Sequence, residues 1–332
     1  MRSGTPSRFS NCTILSLTVD GERPSRFAAA RNPRISQTLR NTARSSRDPT
    51  SSLFAIAIRL SAFQWIIRLG RTAIPLQLAD CIEAGLRMEM QMTIKTALIT
   101  GANKSIGFET ARQLGRLDYR IWLGCRDEAR GAAAAQLLSQ EGIEVTPLSI
   151  DVTSEVSIRA AAAVVQKQDG KLDVLINNAG ISNVSFVPPS QQTIDDVRTV
   201  YDTNVFGPIR VTQAFLPLLK AAGSATVVMV SSGLGSLAWL SDPTHPFYGV
   251  NLLGYNSSKT ALNAVTLAFA KELSSFNIRV DAADPGYTAT DFNNHSGYRT
   301  VEQAAAGIVW LVERDDGLPN GRFYFETEQA PW

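Results

Sequence analysis

From residue 95 to the end of the chain, short apolar runs alternate with longer stretches in which apolar side chains recur every three or four positions. The runs at 96–100, 119–125, 144–151, 172–176, 226–231, 278–283 and 321–326 predict strands, and 106–117, 128–141, 154–168, 194–219, 255–274 and 301–313 predict helices. Strands and helices alternating at this spacing specify a parallel sheet covered on both faces, with right-handed crossovers. The expectation is a Rossmann-like, doubly wound α/β fold of about seven strands, formed by one domain over 93–332.

Residues 1–92 carry no such period. The apolar stretch at 53–67 is broken by Arg59 and Gln64 and is shorter than the roughly 20 residues a membrane span requires. Composition sharpens the boundary: 1–87 holds 13 Arg, no Lys and five acids, whereas the remainder holds 19 basic and 25 acidic side chains. This predicts a disordered Arg-rich extension without a core of its own. Two readings of it stay open. It is a mitochondrial transit segment, or it is non-native upstream sequence with Met88, Met90 or Met92 as the working start. The protein is accordingly expected to be cytoplasmic, or mitochondrial if the leader is genuine. The mildly acidic globular part argues against a nucleic-acid partner. Three cysteines and two histidines are too few and too scattered for a disulfide framework or a metal centre.

Within this frame Tyr255 and Lys259 stand four residues apart on a helix, one turn apart on the same face. The cation is expected to favour phenolate and draw the Tyr255 pKa down towards neutrality, giving an acid whose proton moves easily. Taken alone, such a pair is more often a solvated one. Asn204 precedes Pro208 by four residues, and proline has no N–H to return to the carbonyl at i−4, so the Asn204 carbonyl is left able to hold a water. Ser231 and Ser232 end the fifth strand, at the sheet edge where ligands bind. Free serine is a weak nucleophile, and hydrogen bonding to a substrate carbonyl suits Ser232 better than acyl transfer. The stretch Thr100-Gly101-Ala102-Asn103-Lys104-Ser105-Ile106-Gly107 joins the first strand to the first helix, where a glycine-rich turn aims a helix N-terminus at a pyrophosphate. Arg126 follows the second strand, at the place of the adenosine ribose; an arginine there suits a 2′-phosphate, and Lys104 adds a second cation. Asp127 reads as a helix cap.

These residues resemble the short-chain dehydrogenase/reductase family, whose fingerprint is TGxxxGxG; Ser105 stands at the middle glycine of that pattern. Asn177-Asn178-Ala179-Gly180 resembles the family's NNAG motif and Asp284-Pro285-Gly286-Tyr287-Thr288 its PG motif. The resemblance, closest to carbonyl-reductase-like members, implies an oxidoreductase that moves a hydride between NADP(H), preferred over NAD(H), and a ketone, aldehyde or alcohol. It implies Asn204, Ser232, Tyr255 and Lys259 as catalytic residues. The implied cofactor contacts are Gly101, Asn103, Lys104, Ser105, Ile106, Gly107, Arg126, Asp151 and Val152 (towards adenine), Asn178, Ala179, Gly180, Tyr255, Lys259, Pro285, Gly286 and Thr288. Asn178 is implied to tie neighbouring strands. Homodimers or homotetramers are common in the family. A non-catalytic NADP(H) sensor on the same fold is the alternative. Ser232 and Tyr255 are 23 positions apart, more than is usual in the family, and the aromatic, proline-punctuated insert between them is expected to be an ordered loop, over a substrate pocket or at an oligomer contact.

Overall fold

The computed structural model describes residues 94–182, 187–315, 317 and 320–332, so the expectations for 1–92 lie outside the described residues. The strands are β1 (Thr96–Thr100), β2 (Arg120–Cys125), β3 (Val145–Ser149), β4 (Val174–Asn177), β5 (Ala225–Val230), β6 (Ile278–Asp284), β7 (Phe323–Phe325) and β8 (Glu328–Gln329). They form one sheet in the order β3-β2-β1-β4-β5-β6-β7-β8. Every pairing is parallel except β7 with β8, a two-residue antiparallel addition that no sequence period could announce. The fold is the doubly wound α/β sheet expected.

Helices α1 (Ser105–Gly115), α2 (Glu128–Gln140), α3 (Glu155–Gln168), α4 (Ile194–Tyr201), α5 (Gly207–Ala221), α6 (Leu237–Ser241), α7 (Leu253–Leu273) and α8 (Val301–Glu313) follow in chain order. Alternate strand residues serve opposite layers, as the period of two requires. Ala97 and Ile99 of β1 pack with Leu114, Leu138 and Leu311 of α1, α2 and α8. Leu98 packs on the other face with Val165, Phe215 and Leu262 of α3, α5 and α7. Strand order reverses between β1 and β4, and the loops leaving the carboxyl ends of β1, β4, β5 and β6 converge beside that switch point, where such sheets bind ligands.

The stretch expected as one helix over 194–219 is two. Asp202–Phe206 forms a widened π turn in which the Gly207 N–H donates to the Asp202 carbonyl, five residues back. Pro208, without an N–H, cannot complete an ordinary turn there, and the chain widens instead of breaking.

Candidate active site

Tyr255 and Lys259 lie on the inward face of α7, and both are buried. Ser232 caps the turn after β5, its hydroxyl accepting from the Leu234 N–H at 3.2 Å, and it lies near enough to the Tyr255 phenol to act on it. Ser231, the neighbouring candidate, is committed elsewhere: its hydroxyl donates to Asn263 Oδ1 at 2.6 Å inside the core. Lys259 Nζ donates to the Val230 carbonyl at 2.7 Å and lies 5.7 Å from the centre of the Tyr255 ring. Asn204, fully buried on the π turn, grips the loop after β4: Oδ1 accepts from Ile181 N at 2.8 Å, and Nδ2 donates to Ile181 O at 2.9 Å and to Ser258 Oγ at 3.1 Å. A Cβ placed on Gly180 would sit 3.3 Å from Asn204 Oδ1 and 3.7 Å from Lys259 Nζ, so the NNAG loop, the π turn and the lysine meet at one point.

One expectation is corrected. Burial pushes the Tyr255 phenol up, well above its ordinary range; the Ser232 hydrogen bond pulls it down and the Asp284 carboxylate raises it further. Lys259 does not bring it towards neutrality, because the same burial penalises the ammonium and pushes it down to about 8 against the raising effect of Asp284.

The phosphate loop runs from β1 into α1. Gly101 has φ of +65°, and a Cβ there would lie 3.0 Å from the backbone of Ala179; a Cβ on Gly107 would lie 2.5 Å from Asn178 Nδ2. Asn178 ties β4 to β1, its Nδ2 donating to the Thr100 carbonyl at 2.8 Å and its N–H to Thr100 Oγ1 at 3.0 Å. Ser105 takes φ of +54°, the left-handed region that favours glycine. Asn103 and Ile106 flank this loop, half-buried. Lys104 reaches across to the loop after β6, pairing with Asp291 at 2.7 Å; both side chains are more than half exposed. Arg126 is exposed and makes no hydrogen bond or ion pair among the described residues, while Asp127 caps α2 by accepting from Arg130 N at 3.0 Å. Asp151 accepts from the Thr153 N–H and hydroxyl at 2.9 and 2.8 Å, ahead of α3, next to the buried Val152. After β6, Pro285 and Gly286 open a loop in which the Thr288 hydroxyl is spent on their carbonyls, at 3.1 and 3.2 Å.

The insert is ordered. Trp239 stacks on His245 at 5.0 Å and packs edge-on to Phe247 at 5.9 Å, and Ala238 N donates to the Trp332 carbonyl. Leu237, Leu240, Tyr248 and Val250 line a groove of about 380 Å³ against Leu253, Asn256, Ser257 and Thr260 of α7. At 100° per residue those positions lie on the side of α7 away from Tyr255 and Lys259.

The family model for short chain dehydrogenases matches residues 95–299. The chain belongs to the short-chain dehydrogenase family. Among its relatives, short-chain dehydrogenase anuI of Penicillium roqueforti is 38% identical over 66% of this chain and 88% of that protein. The (-)-isopiperitenone reductase of Mentha piperita is 32% identical over 69% and 95%. The crystal structure of NADPH-bound carbonyl reductase from chicken fatty liver superposes with a TM-score of 0.64 at 29% identity, covering 72% of this chain and 99% of that one. The chain is thus an oxidoreductase of this family. Among its described residues no helix is long and apolar enough to cross a membrane, and no group of three or more His, Cys, Asp or Glu could hold a metal ion.

Two neighbours of the reacting groups escaped the sequence reading. Phe292 packs its ring 5.5 Å from that of Tyr255. Asp284, the last residue of β6, is buried, and burial pushes its carboxyl up against the lowering effects of the Gly286 N–H, Arg299 and Lys259; its place in the run Ala282-Ala283-Asp284-Pro285 was the signal available.

Proposed function

We propose that this short-chain dehydrogenase reduces a ketone or aldehyde with NADPH, and oxidises the corresponding alcohol in reverse, with Tyr255 as general acid/base. The observation that carries the reading is the buried cluster of Tyr255, Lys259 and Asn204 beside the Ser232 hydroxyl, which acts on the Tyr255 phenol. Two hydroxyls within reach of one another can both donate to a single carbonyl oxygen, which is where negative charge develops in a reduction. The loop residues fit a phosphorylated dinucleotide: the turn at Gly101 and the α1 N-terminus suit a pyrophosphate, and Arg126, exposed past β2, suits a 2′-phosphate. When bound, the nicotinamide supplies the hydride.

Tyr255 gives its proton to the substrate oxygen, and Ser232 holds that oxygen in place. Lys259, buried under the cleft, supplies positive charge as the phenol loses its proton and would hold the cofactor's ribose hydroxyls. Asn204, fixed by Ile181 and Ser258, offers its carbonyl to a water that returns the proton. Pro285, Gly286 and Thr288 would hold the nicotinamide side of the cofactor, and Phe292 gives the substrate an apolar flank. That the carbonyl reductase from chicken fatty liver was solved with NADPH bound supports the choice of cofactor.

The test is oxidation of NADPH across a panel of ketones and aldehydes, with NADH alongside. Turnover with NADPH, several-fold better than with NADH, is expected. Binding of NADPH without turnover of any carbonyl would point to a sensor instead, and equal use of NADH would remove the 2′-phosphate contact from Arg126.

A further inference from the structure

We propose that Asn263 is a positioning residue for the reduction: from α7 it grips both sides of the turn that carries Ser232, and so fixes where that hydroxyl stands relative to Tyr255 and Lys259. The inference rests on the reading of the site given above. Asn263 lies one helical turn beyond Lys259 and two beyond Tyr255, and all three are buried on the same side of α7. Its Oδ1 accepts from the Ser231 hydroxyl at 2.6 Å, and its Nδ2 donates to the Gly235 carbonyl at 3.2 Å. Ser231 and Gly235 flank Ser232 in the chain, so one side-chain amide holds the stretch at both ends. Within that stretch the Gly235 N–H donates to the Ser232 carbonyl at 2.8 Å and the Leu234 N–H to the Ser232 hydroxyl at 3.2 Å, which ties 231–235 into a unit.

The unit is seated directly on the backbone of α7. A Cβ on Gly235 would lie 2.8 Å from the Lys259 carbonyl carbon and 2.9 Å from Lys259 Cβ, so only glycine lets the turn rest on the helix there. Thr260 adds a second donor to the Gly235 carbonyl, at 3.0 Å. The insert closes the other side: a Cβ on Gly233 would lie 2.4 Å from Phe247 Cε2, 3.0 Å from Trp239 Cζ3 and 2.8 Å from Asp284 Oδ2. Packing from both sides presses the turn onto the helix, but apolar contact alone lets it slide along the helix surface. Directed bonds stop that movement, and a planar amide with both ends engaged supplies two of them at fixed angles. An amide buried in this way is costly unless both ends are paired, and here they are.

Asn263→Leu removes both bonds at nearly constant shape. With the carbonyl compound that the NADPH panel turns over fastest, kcat is expected to fall by about tenfold or more while equilibrium binding of NADPH is little changed, because a small displacement of the Ser232 hydroxyl takes it away from the substrate oxygen. The same substitution is then made in Ser232→Ala. Since Asn263 acts through Ser232, its loss should cost less than about twofold in kcat once that hydroxyl is gone. A loss of equal size in both backgrounds would overturn the proposal, as would wild-type kcat in Asn263→Leu. Ser231→Ala, which opens the same joint from the loop side, is read in the same two backgrounds should the Leu variant not fold; failure of both to fold would also overturn it, because the joint would then serve the fold and not the site. Ser232→Ala separates the two levels. If it keeps full turnover, the reading of the site itself fails; if it is slow while Asn263→Leu costs nothing, or costs the same with and without Ser232, only the role of Asn263 fails.

Discussion

The two ends of the cleft are built on opposite terms. At the β5 and α7 end the polar groups lie inside the protein, and each is held by a hydrogen bond: Lys259 by Val230, Asn204 by Ile181 and Ser258, Asp284 by Gly286. At the β1 and α1 end the cations stand in water, Arg126 without a partner among the described residues and Lys104 in an exposed pair. Proton transfer rewards groups held in a dry site before the substrate arrives, because charge effects there are strong and cost no rearrangement. Anchoring a phosphate needs only cations able to swing onto it, and solvent keeps them cheap to hold charged.

Losing the phenol should give the largest effect on either end. Tyr255→Phe removes the acid while the ring keeps its packing against Phe292, and kcat is expected to fall by about 10² to 10⁴ with NADPH affinity little changed, by stopped-flow turnover and equilibrium binding. Comparable turnover in the Phe variant would mean that the buried end does not perform the chemistry.

The burial of that end should also appear in stability. Lys259 has a folded pKa of about 8, against an ordinary value near 10.4 in the unfolded chain. Between those values the unfolded state binds the additional proton, so stability rises with pH, by up to about 1.4 kcal/mol per unit. Tyr255, raised by burial, contributes the opposite slope above about pH 10, where the unfolded phenol ionises first. Chemical denaturation of wild type and Lys259→Met between pH 8 and 10 checks this: the wild type should gain relative to the variant across that window. Parallel curves would mean that the ammonium is solvated after all.

The contrast also decides what could be read from the chain. Strand and helix periods, the Tyr255 and Lys259 spacing and the glycine turn are local patterns, and the structure places them at the ends of β1, β4 and β5 as expected. The widened turn before Pro208 was legible only as a missing hydrogen bond. The Tyr255 pKa was misjudged because a spacing rule sees the ammonium four residues away and not the burial of both groups. Asp284 ends β6 and Phe292 lies in the segment after it, and both reach the site only after the sheet is assembled, so nothing near Tyr255 in sequence announces them. The insert was read as aromatic and ordered, but its packing on Gly233 depends on partners from β6 and the chain's last residues.

At the exposed end, Ser105 offers a smaller effect. A non-glycine residue at φ of +54° costs on the order of 1 kcal/mol, which Ser105→Gly should recover as added thermal stability. The same change removes a Cβ from the phosphate loop, and tighter NADPH binding by calorimetry is expected. Weaker binding would show that the Ser105 hydroxyl contributes a hydrogen bond to the diphosphate that outweighs the strain.

The smallest effect should come from Asp291→Ala. The Lys104–Asp291 pair is exposed on both sides, and exposed pairs of this kind add little to stability, so the melting temperature should hardly move. What changes is the availability of Lys104. Freed from Asp291, its ammonium can turn to a 2′-phosphate at the same end of the cleft as Arg126, and affinity for NADPH should rise by a few-fold at low salt while affinity for NADH stays put. The gain should shrink as salt is added, since both the old pair and the new contact are solvated. If both cofactors bind more weakly in the variant, the pair is instead a fastening between the phosphate loop and the loop after β6, and the exposed end is organised before the cofactor arrives, as the buried end is.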